Sequence, residues 1–204
     1  MPSTSSELNE RIRGAAIAGV FGIGMFVLLE IYTYIQPETL FSFWTLTIVW
    51  VVLFSATYGV VIYYVRGFTL VGIKYSVPLL SWNARILMYL LLLSCALQVV
   101  GALFPYGGPV ILDAILGMIF LPIFLIVVPA LSLSTLLIRK AEIKRAAWKY
   151  AASGILWPIT FLYMFFTSFL SGGGISPIEY TFSDILWILL LLFGSFLLFK
   201  ISSD

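Results

Sequence analysis

The sequence of 204 residues contains no histidine, a single cysteine and few charged residues. Without histidine it lacks the commonest metal ligand, the usual general base and the usual haem ligand. The lone Cys95 excludes disulfide frameworks, zinc clusters and iron–sulfur clusters built within the chain. We therefore expect no metal site, no cofactor and no catalytic residues, and we predict that the protein is not an enzyme.

Charge is also scarce, at 10% of the residues against about 25% in typical soluble proteins. Hydrophobic residues make up 62% of the chain. So few charged side chains cannot cover the surface of a soluble domain of this length. Apolar runs of roughly 20 residues instead match the thickness of the hydrocarbon core of a bilayer. We predict an integral membrane protein that contacts the lipid bilayer and binds no nucleic acid.

The apolar runs predict an all-α bundle of six transmembrane helices in one domain, 1–204. Cutting the chain at charges, proline and glycine clusters and polar runs places the spans at about 14–34, 41–65, 86–104, 110–138, 146–170 and 182–199. The connection 66–85 mixes basic, aromatic and aliphatic residues around Pro78. We expect this connection to lie as an interfacial segment at the level of the lipid headgroups.

The basic residues predict the orientation of the bundle. With six spans, all eleven lysines and arginines fall on one side of the membrane. Four acidic residues share that side and leave it at +7, while the other five give the opposite side −5. Basic loops stay in the cytoplasm. We therefore predict a plasma-membrane protein with both termini cytoplasmic.

Small residues recur every four positions in the first span, at Gly14, Ala18 and Gly22. This spacing stacks them on one helix face and allows another backbone to approach closely. The face is either a docking surface for a partner subunit or an ordinary packing surface inside the bundle. The pattern is common in membrane helices, which favours ordinary packing.

Two prolines, Pro122 and Pro129, lie seven residues apart in the fourth span and so on one face of the helix. Each removes a backbone donor and frees a carbonyl one turn earlier. The pair predicts a kink or hinge, or a cavity lined by polar backbone. The alternative is a kinked helix whose role is packing.

Three polar side chains, Glu30, Gln98 and Asp113, are predicted near the outer ends of the first, third and fourth spans. Unpaired polar groups in hydrocarbon are costly and seek one another. If these three spans are neighbours, the side chains form an outward-facing polar pocket. The alternative is that both carboxylates are wetted separately at the interface and that Gln98 makes one interhelical hydrogen bond.

These features leave two functions open. The first is a non-catalytic multi-pass subunit or interaction protein of a larger membrane complex, with other membrane subunits as partners. It is favoured by the near absence of catalytic side chains and by the small-residue face. The alternative is a small membrane transporter or substrate-capture component for an apolar or weakly polar solute, which the proline pair and the polar pocket favour. An enzyme acting on lipid has the weakest support, because histidine and paired acidic motifs are missing.

Overall fold

The computed structural model describes residues 5–35, 43–103, 119–171 and 177–204. Over these ranges the chain forms six α-helices, which confirms the predicted all-helical fold. The helices are α1 Ser5–Ile35, α2 Phe43–Lys74, α3 Pro78–Leu103, α4 Leu121–Ser134, α5 Ala141–Ser171 and α6 Pro177–Ser202, and a 3₁₀ turn, Thr135–Leu137, extends α4.

Four helices contain segments that are long and apolar enough to cross a membrane: Ser5–Tyr32, Thr47–Lys74, Pro78–Leu103 and Ser183–Ser202. A fifth apolar segment, Leu121–Leu137, is shorter. The first part of the span predicted at 110–138 lies outside the described residues. The long apolar helices predicted from the sequence are therefore confirmed for the first, second, third and sixth spans.

The outer surface of the bundle is apolar as well as its core. Phe21, Val52, Tyr89 and Ile126 lie on four different helices, and each is at least 60% exposed. In water, such a surface would be an aggregation hazard. An apolar exterior around an apolar core is what a helix bundle needs in order to face lipid tails.

The six helices form a closed ring in chain order. Each helix packs against the next one along the chain, and α6 returns to pack against α1. α2 also contacts α6. In this order α2 stands between α1 and α3, so the first and third spans are not consecutive in the ring. The ring leaves an interior to which all six helices contribute.

The segment 66–85, predicted to lie at the level of the lipid headgroups, is mostly helical. Residues 66–74 continue α2 and residues 78–85 begin α3, so only a short turn joins the two helices. Phe68 and Leu80, one from each part, are fully buried at 0% exposure. Their apolar side chains pack into the core of the bundle. This burial stabilises the continuous helices more than exposure of the same side chains at the lipid headgroups would.

The end of the bundle that carries Lys74, Lys140 and Lys200 is called the basic end, and the opposite end is called the far end. At the basic end the Lys74 Nζ donates to Asn9 Oδ1 at 2.8 Å and to the carbonyl of Ile201 at 2.9 Å. These bonds tie α1, α2 and α6 together. The ring is therefore closed at the basic end by polar contacts as well as by apolar packing.

Asp204 extends this polar closure to two further turns. Its carboxylate accepts hydrogen bonds from Lys140 Nζ at 2.5 Å and from the Tyr75 hydroxyl at 3.0 Å. The hydrogen bonds from Lys140 and then Tyr75 hold the pKa of Asp204 below its ordinary value. Burial, reinforced by the hydrogen bond to this carboxylate, raises the pKa of Tyr75. The α2–α3 turn and the segment before α5 are thus joined through one carboxylate.

Candidate functional site

A cavity of about 370 Å³ lies inside the ring, nearer to the far end. Every helix lines it, α1 to α6 contributing among others Phe26, Thr57, Leu91, Phe124, Trp157 and Trp187 in that order. Thr57 precedes Lys74 by 17 residues, which places it about 25 Å from the basic end at 1.5 Å per residue. Small-molecule sites occupy roughly 300–1,000 Å³, so the cavity is of the size of a small ligand.

Aromatic rings form two opposing walls of the cavity. On α2, the ring centroids of Phe54 and Tyr58 lie 4.4 Å apart. On the other side, Trp157 of α5 lies 5.5 Å from Trp187 of α6 and 6.2 Å from Phe161, measured between ring centroids. Such walls offer flat, apolar and polarisable faces to a ligand.

Two carboxylates, Glu30 of α1 and Asp184 of α6, complete the lining toward the far end. Glu30 is exposed and Asp184 is half-buried. The hydroxyl of Thr57, deeper in the wall, donates to the carbonyl of Leu53 at 2.8 Å. No lysine or arginine is present among the described residues that line the cavity. The described part of the lining therefore contains two acidic side chains and no basic one.

One to two helical turns beyond the cavity lining, toward the basic end, lies a buried aromatic cluster of Tyr64, Phe68 and Tyr150, called here the floor. Each side chain is at most 2% exposed. Phe68 stacks on Tyr150 at 4.9 Å with 8° between the ring planes, and Tyr64 meets Phe68 edge-on at 5.4 Å. The Tyr64 hydroxyl donates to the carbonyl of Leu190 on α6 at 3.5 Å. Gly194 of α6 makes room for these rings, since a Cβ there would overlap the Tyr64 hydroxyl.

The predicted polar pocket contributes one residue to this cavity. Glu30 lines it, whereas Gln98, half-buried on α3, is not part of its lining. Asp113 lies outside the described residues. The carboxylate that the structure brings to Glu30 is Asp184. The convergence of Glu30, Gln98 and Asp113 stays a prediction.

Sequence reasoning missed Asp184 as a site residue because it treated this aspartate only as part of the outer charge count. Two signals could have found it. Asp184 begins the last apolar run, 18 residues before Ser202 and thus about 27 Å from the basic end. Glu30 follows Arg11 by 19 residues and lies about 28 Å along α1. Two carboxylates at the same depth on helices that close a ring are candidates for one site.

The row of small residues on α1 faces another helix of the same chain. Gly14 and Ala18 line a groove of about 530 Å³ between α1 and α2, beside Tyr63. Gly22 is buried, and a Cβ there would lie 3.5 Å from Val60 Cγ1. The positions fit ordinary packing along α2. Binding of a partner in the remaining groove stays a prediction.

The two prolines of α4 occupy different positions in the helix. Pro122 lies in its first turn, directly after a π-helical turn at residues 119 and 120, so the backbone hydrogen-bond pattern changes there. Pro129 lies in the interior of α4. Next to it, the carbonyl of Ala130 accepts a hydrogen bond from Asn83 Nδ2 of α3 at 3.0 Å. Bending or hinge motion at these prolines stays a prediction.

Over the described ranges, no group of three or more histidine, cysteine, aspartate or glutamate residues is placed to hold a metal ion. The comparisons with known proteins add no assignment: no protein family, no curated protein and no solved structure matches this chain. The evidence for a function therefore comes from the cavity and its charged residues.

Proposed function

We propose that this chain is an integral protein of the plasma membrane that captures or carries a small, apolar or weakly polar solute in its central cavity. The observation that carries the proposal is a cavity of about 370 Å³ to which all six helices contribute. A bundle that only packed its own helices would gain stability by filling this space, because empty volume in a core forfeits contacts.

The direction of access follows from the two ends of the cavity. The buried cluster of Tyr64, Phe68 and Tyr150 separates the cavity from the basic end. The basic end is cytoplasmic in this proposal, with both termini inside, because basic segments stay on that side of the membrane. The solute then enters from the outer side, past Glu30 and Asp184. This arrangement corresponds to an outward-facing state of a carrier or of a capture component.

Binding, without chemistry on the solute, is the role that these side chains support. The sequence contains no histidine, and its one cysteine, Cys95, is not part of the cavity lining. The aromatic walls provide contact area, and the two carboxylates and the Thr57 hydroxyl provide a few polar groups. A mostly apolar lining with a small number of placed polar groups is typical of small-molecule binding sites.

The test introduces a bulky side chain into the cavity and measures the binding of aromatic probes to the full chain in lipid nanodiscs. Leu121 lines the cavity and Leu192 is 44% exposed on α6 outside it. Leu121→Trp should weaken saturable, one-site binding by about tenfold or more, since each lost 1.4 kcal/mol is a factor of ten. Leu192→Trp is the matched control and should leave binding unchanged. Equal effects of the two variants, or no saturable binding to the parent protein, would refute the proposal.

A second candidate is the non-catalytic subunit of a larger membrane complex. The observation in its favour is the groove between α1 and α2, whose lining includes Gly14, Ala18 and Gly59. A partner helix can approach closely over such residues. Ala18→Leu should then remove a stoichiometric co-purifying subunit, identified by mass spectrometry, whereas Ala96→Leu on the exposed face of α3 should keep it. A parent protein that purifies without such a subunit would exclude this role.

A further inference from the structure

The cavity, if it binds a solute as proposed above, has a definite charge preference. We infer that its ligand is a small organic cation, an amine or quaternary ammonium that carries an apolar or aromatic body. The inference rests on the proposed solute-binding role of the cavity and changes the expected solute from a neutral one to one chemical class of cation. Three independent features of the cavity lead to it: the charge of its lining, the chemistry of its walls and its size.

The first feature is the charge of the lining. Glu30 and Asp184 both line the cavity, and no basic side chain is present in the described lining. Two lysines, Lys74 and Lys140, make their hydrogen bonds at the basic end, away from the cavity. Two like charges in a largely apolar space repel each other, and a cation placed between them removes this repulsion. A neutral or anionic solute offers no such compensation.

The second feature is the aromatic chemistry of the walls. Trp157 and Trp187 lie with ring centroids 5.5 Å apart and ring planes at 51°, so they form two sides of a corner. Across the ring, Phe54 and Tyr58 present a second set of faces. The negative face of an aromatic ring attracts a cation within about 6 Å, and tryptophan does so most strongly. Sets of aromatic faces are a recurrent way to bind ammonium groups that cannot donate many hydrogen bonds.

The third feature is the shape of the space available. A volume of about 370 Å³ holds a small molecule but not a folded peptide or a nucleic acid. The carboxylates lie toward the far end, whereas Val61 and Leu91 form apolar lining deeper in the bundle. A ligand with a charged head and an apolar body matches this gradient. A bare inorganic cation would leave most of the apolar lining without contact.

Three probes of similar size but different charge test the inference in the full chain, reconstituted in lipid nanodiscs. They are benzyltrimethylammonium, its neutral carbon isostere neopentylbenzene, and the anion phenylacetate. Dissociation constants come from calorimetric titration, with the signal of empty nanodiscs subtracted. Benzyltrimethylammonium should bind about tenfold tighter than neopentylbenzene or better, because both the carboxylates and the aromatic faces favour the charge. Phenylacetate should bind more weakly than either.

Two conservative variants assign the preference to the carboxylates. Glu30→Gln and Asp184→Asn should each weaken benzyltrimethylammonium by about fivefold or more and leave neopentylbenzene within about twofold. Glu142→Gln, an exposed acid in the first turn of α5, is the matched control and should change neither. If either cavity variant fails to fold, the affinities of the parent protein for benzyltrimethylammonium and neopentylbenzene decide whether the cavity prefers a cation.

The outcomes separate this inference from the proposed function. Equal affinity of the parent protein for benzyltrimethylammonium and neopentylbenzene would overturn the cation preference and leave a cavity for neutral solutes. Cation binding that neither cavity variant weakens would overturn it as well. Binding of none of the three probes would overturn the solute-binding role itself, and the cation preference with it.

Discussion

Alanine at Gly194 is the most direct test of the packing that closes the floor of the cavity. The added Cβ would overlap the Tyr64 hydroxyl and lie 2.8 Å from Tyr150 Cε2 and 2.9 Å from Tyr64 Cζ. Both tyrosines are 2% exposed, so neither ring has open space to move into. Overpacking of this kind costs about 1–3 kcal/mol, and the better helix propensity of alanine returns at most about 1 kcal/mol. We expect Gly194→Ala to lower the free energy of unfolding by about 1–2 kcal/mol.

The assay is equilibrium unfolding of the purified chain in mixed micelles, with Gly24→Ala as the control. Nothing lies within 4 Å of a Cβ at Gly24, so that variant should be unchanged or stabilised by up to about 1 kcal/mol. Adding Tyr64→Phe removes the oxygen that the new Cβ overlaps. The double variant Gly194→Ala/Tyr64→Phe should therefore lose less stability than the sum of the two single variants. Equal stability of Gly194→Ala and Gly24→Ala would refute the described packing.

Two further predictions concern orientation and the basic end. In a Cys95→Ala background, Gly173→Cys should react with an impermeant thiol reagent applied from outside. Lys144→Cys should react only when the reagent is applied from inside. The reverse pattern would contradict the proposed topology. Hydrogen bonds from Lys140 and Tyr75 lower the pKa of Asp204. The Asp204 carboxylate should therefore stabilise the fold above its ordinary pKa of about 3.9, and this stabilisation should vanish as the pH falls through the lowered pKa. Asp204→Asn should cost at most about 1 kcal/mol at pH 7, and the cost should decrease as the pH falls below the ordinary pKa, compared by thermal unfolding. A loss that does not change with pH would argue against the carboxylate's role.

The helical structure of the described segments could be predicted from the sequence because it depends on local properties. A run of about 20 apolar residues, ended by charges or by proline and glycine, is itself a physical requirement for crossing a bilayer. The predicted spans 14–34 and 182–199 lie within α1 and α6 of the structure. Every predicted span that falls in the described ranges is part of a helix. The local pattern thus carries the secondary structure.

The segment 66–85 shows where this reasoning fails. Charges at Arg66 and Arg85 were treated as the ends of helices, whereas long basic side chains can lie along a helix and extend their charge to its end. The helices continue past both positions because Phe68 and Leu80 bury themselves against neighbouring helices. Burial of this kind depends on tertiary contacts, which the charge pattern does not contain.

The candidate site could be predicted only in part, for a similar reason. The cost of a carboxylate near hydrocarbon identified Glu30, and that cost is a property of a single residue. Its partner depends on which helices are adjacent. Helices that are apolar all round carry little information about their neighbours, so the sequence left open whether Gln98 lies near Glu30. In the structure α2 stands between α1 and α3. The packing of α6 against α1, which closes the ring, is what identifies Asp184 as a site residue.

The central claim is that the cavity inside the ring takes up its solute from the outer side. The measurement that tests it most directly is the modification of Thr57→Cys, in a Cys95→Ala background, by an impermeant cationic thiol reagent applied to one side of the membrane at a time. Thr57 lines the cavity on α2, beyond the floor formed by Tyr64. The account predicts modification from the outer side only, slowed by saturating benzyltrimethylammonium. Modification from the cytoplasmic side alone, or at the same rate with and without that ligand, would contradict it.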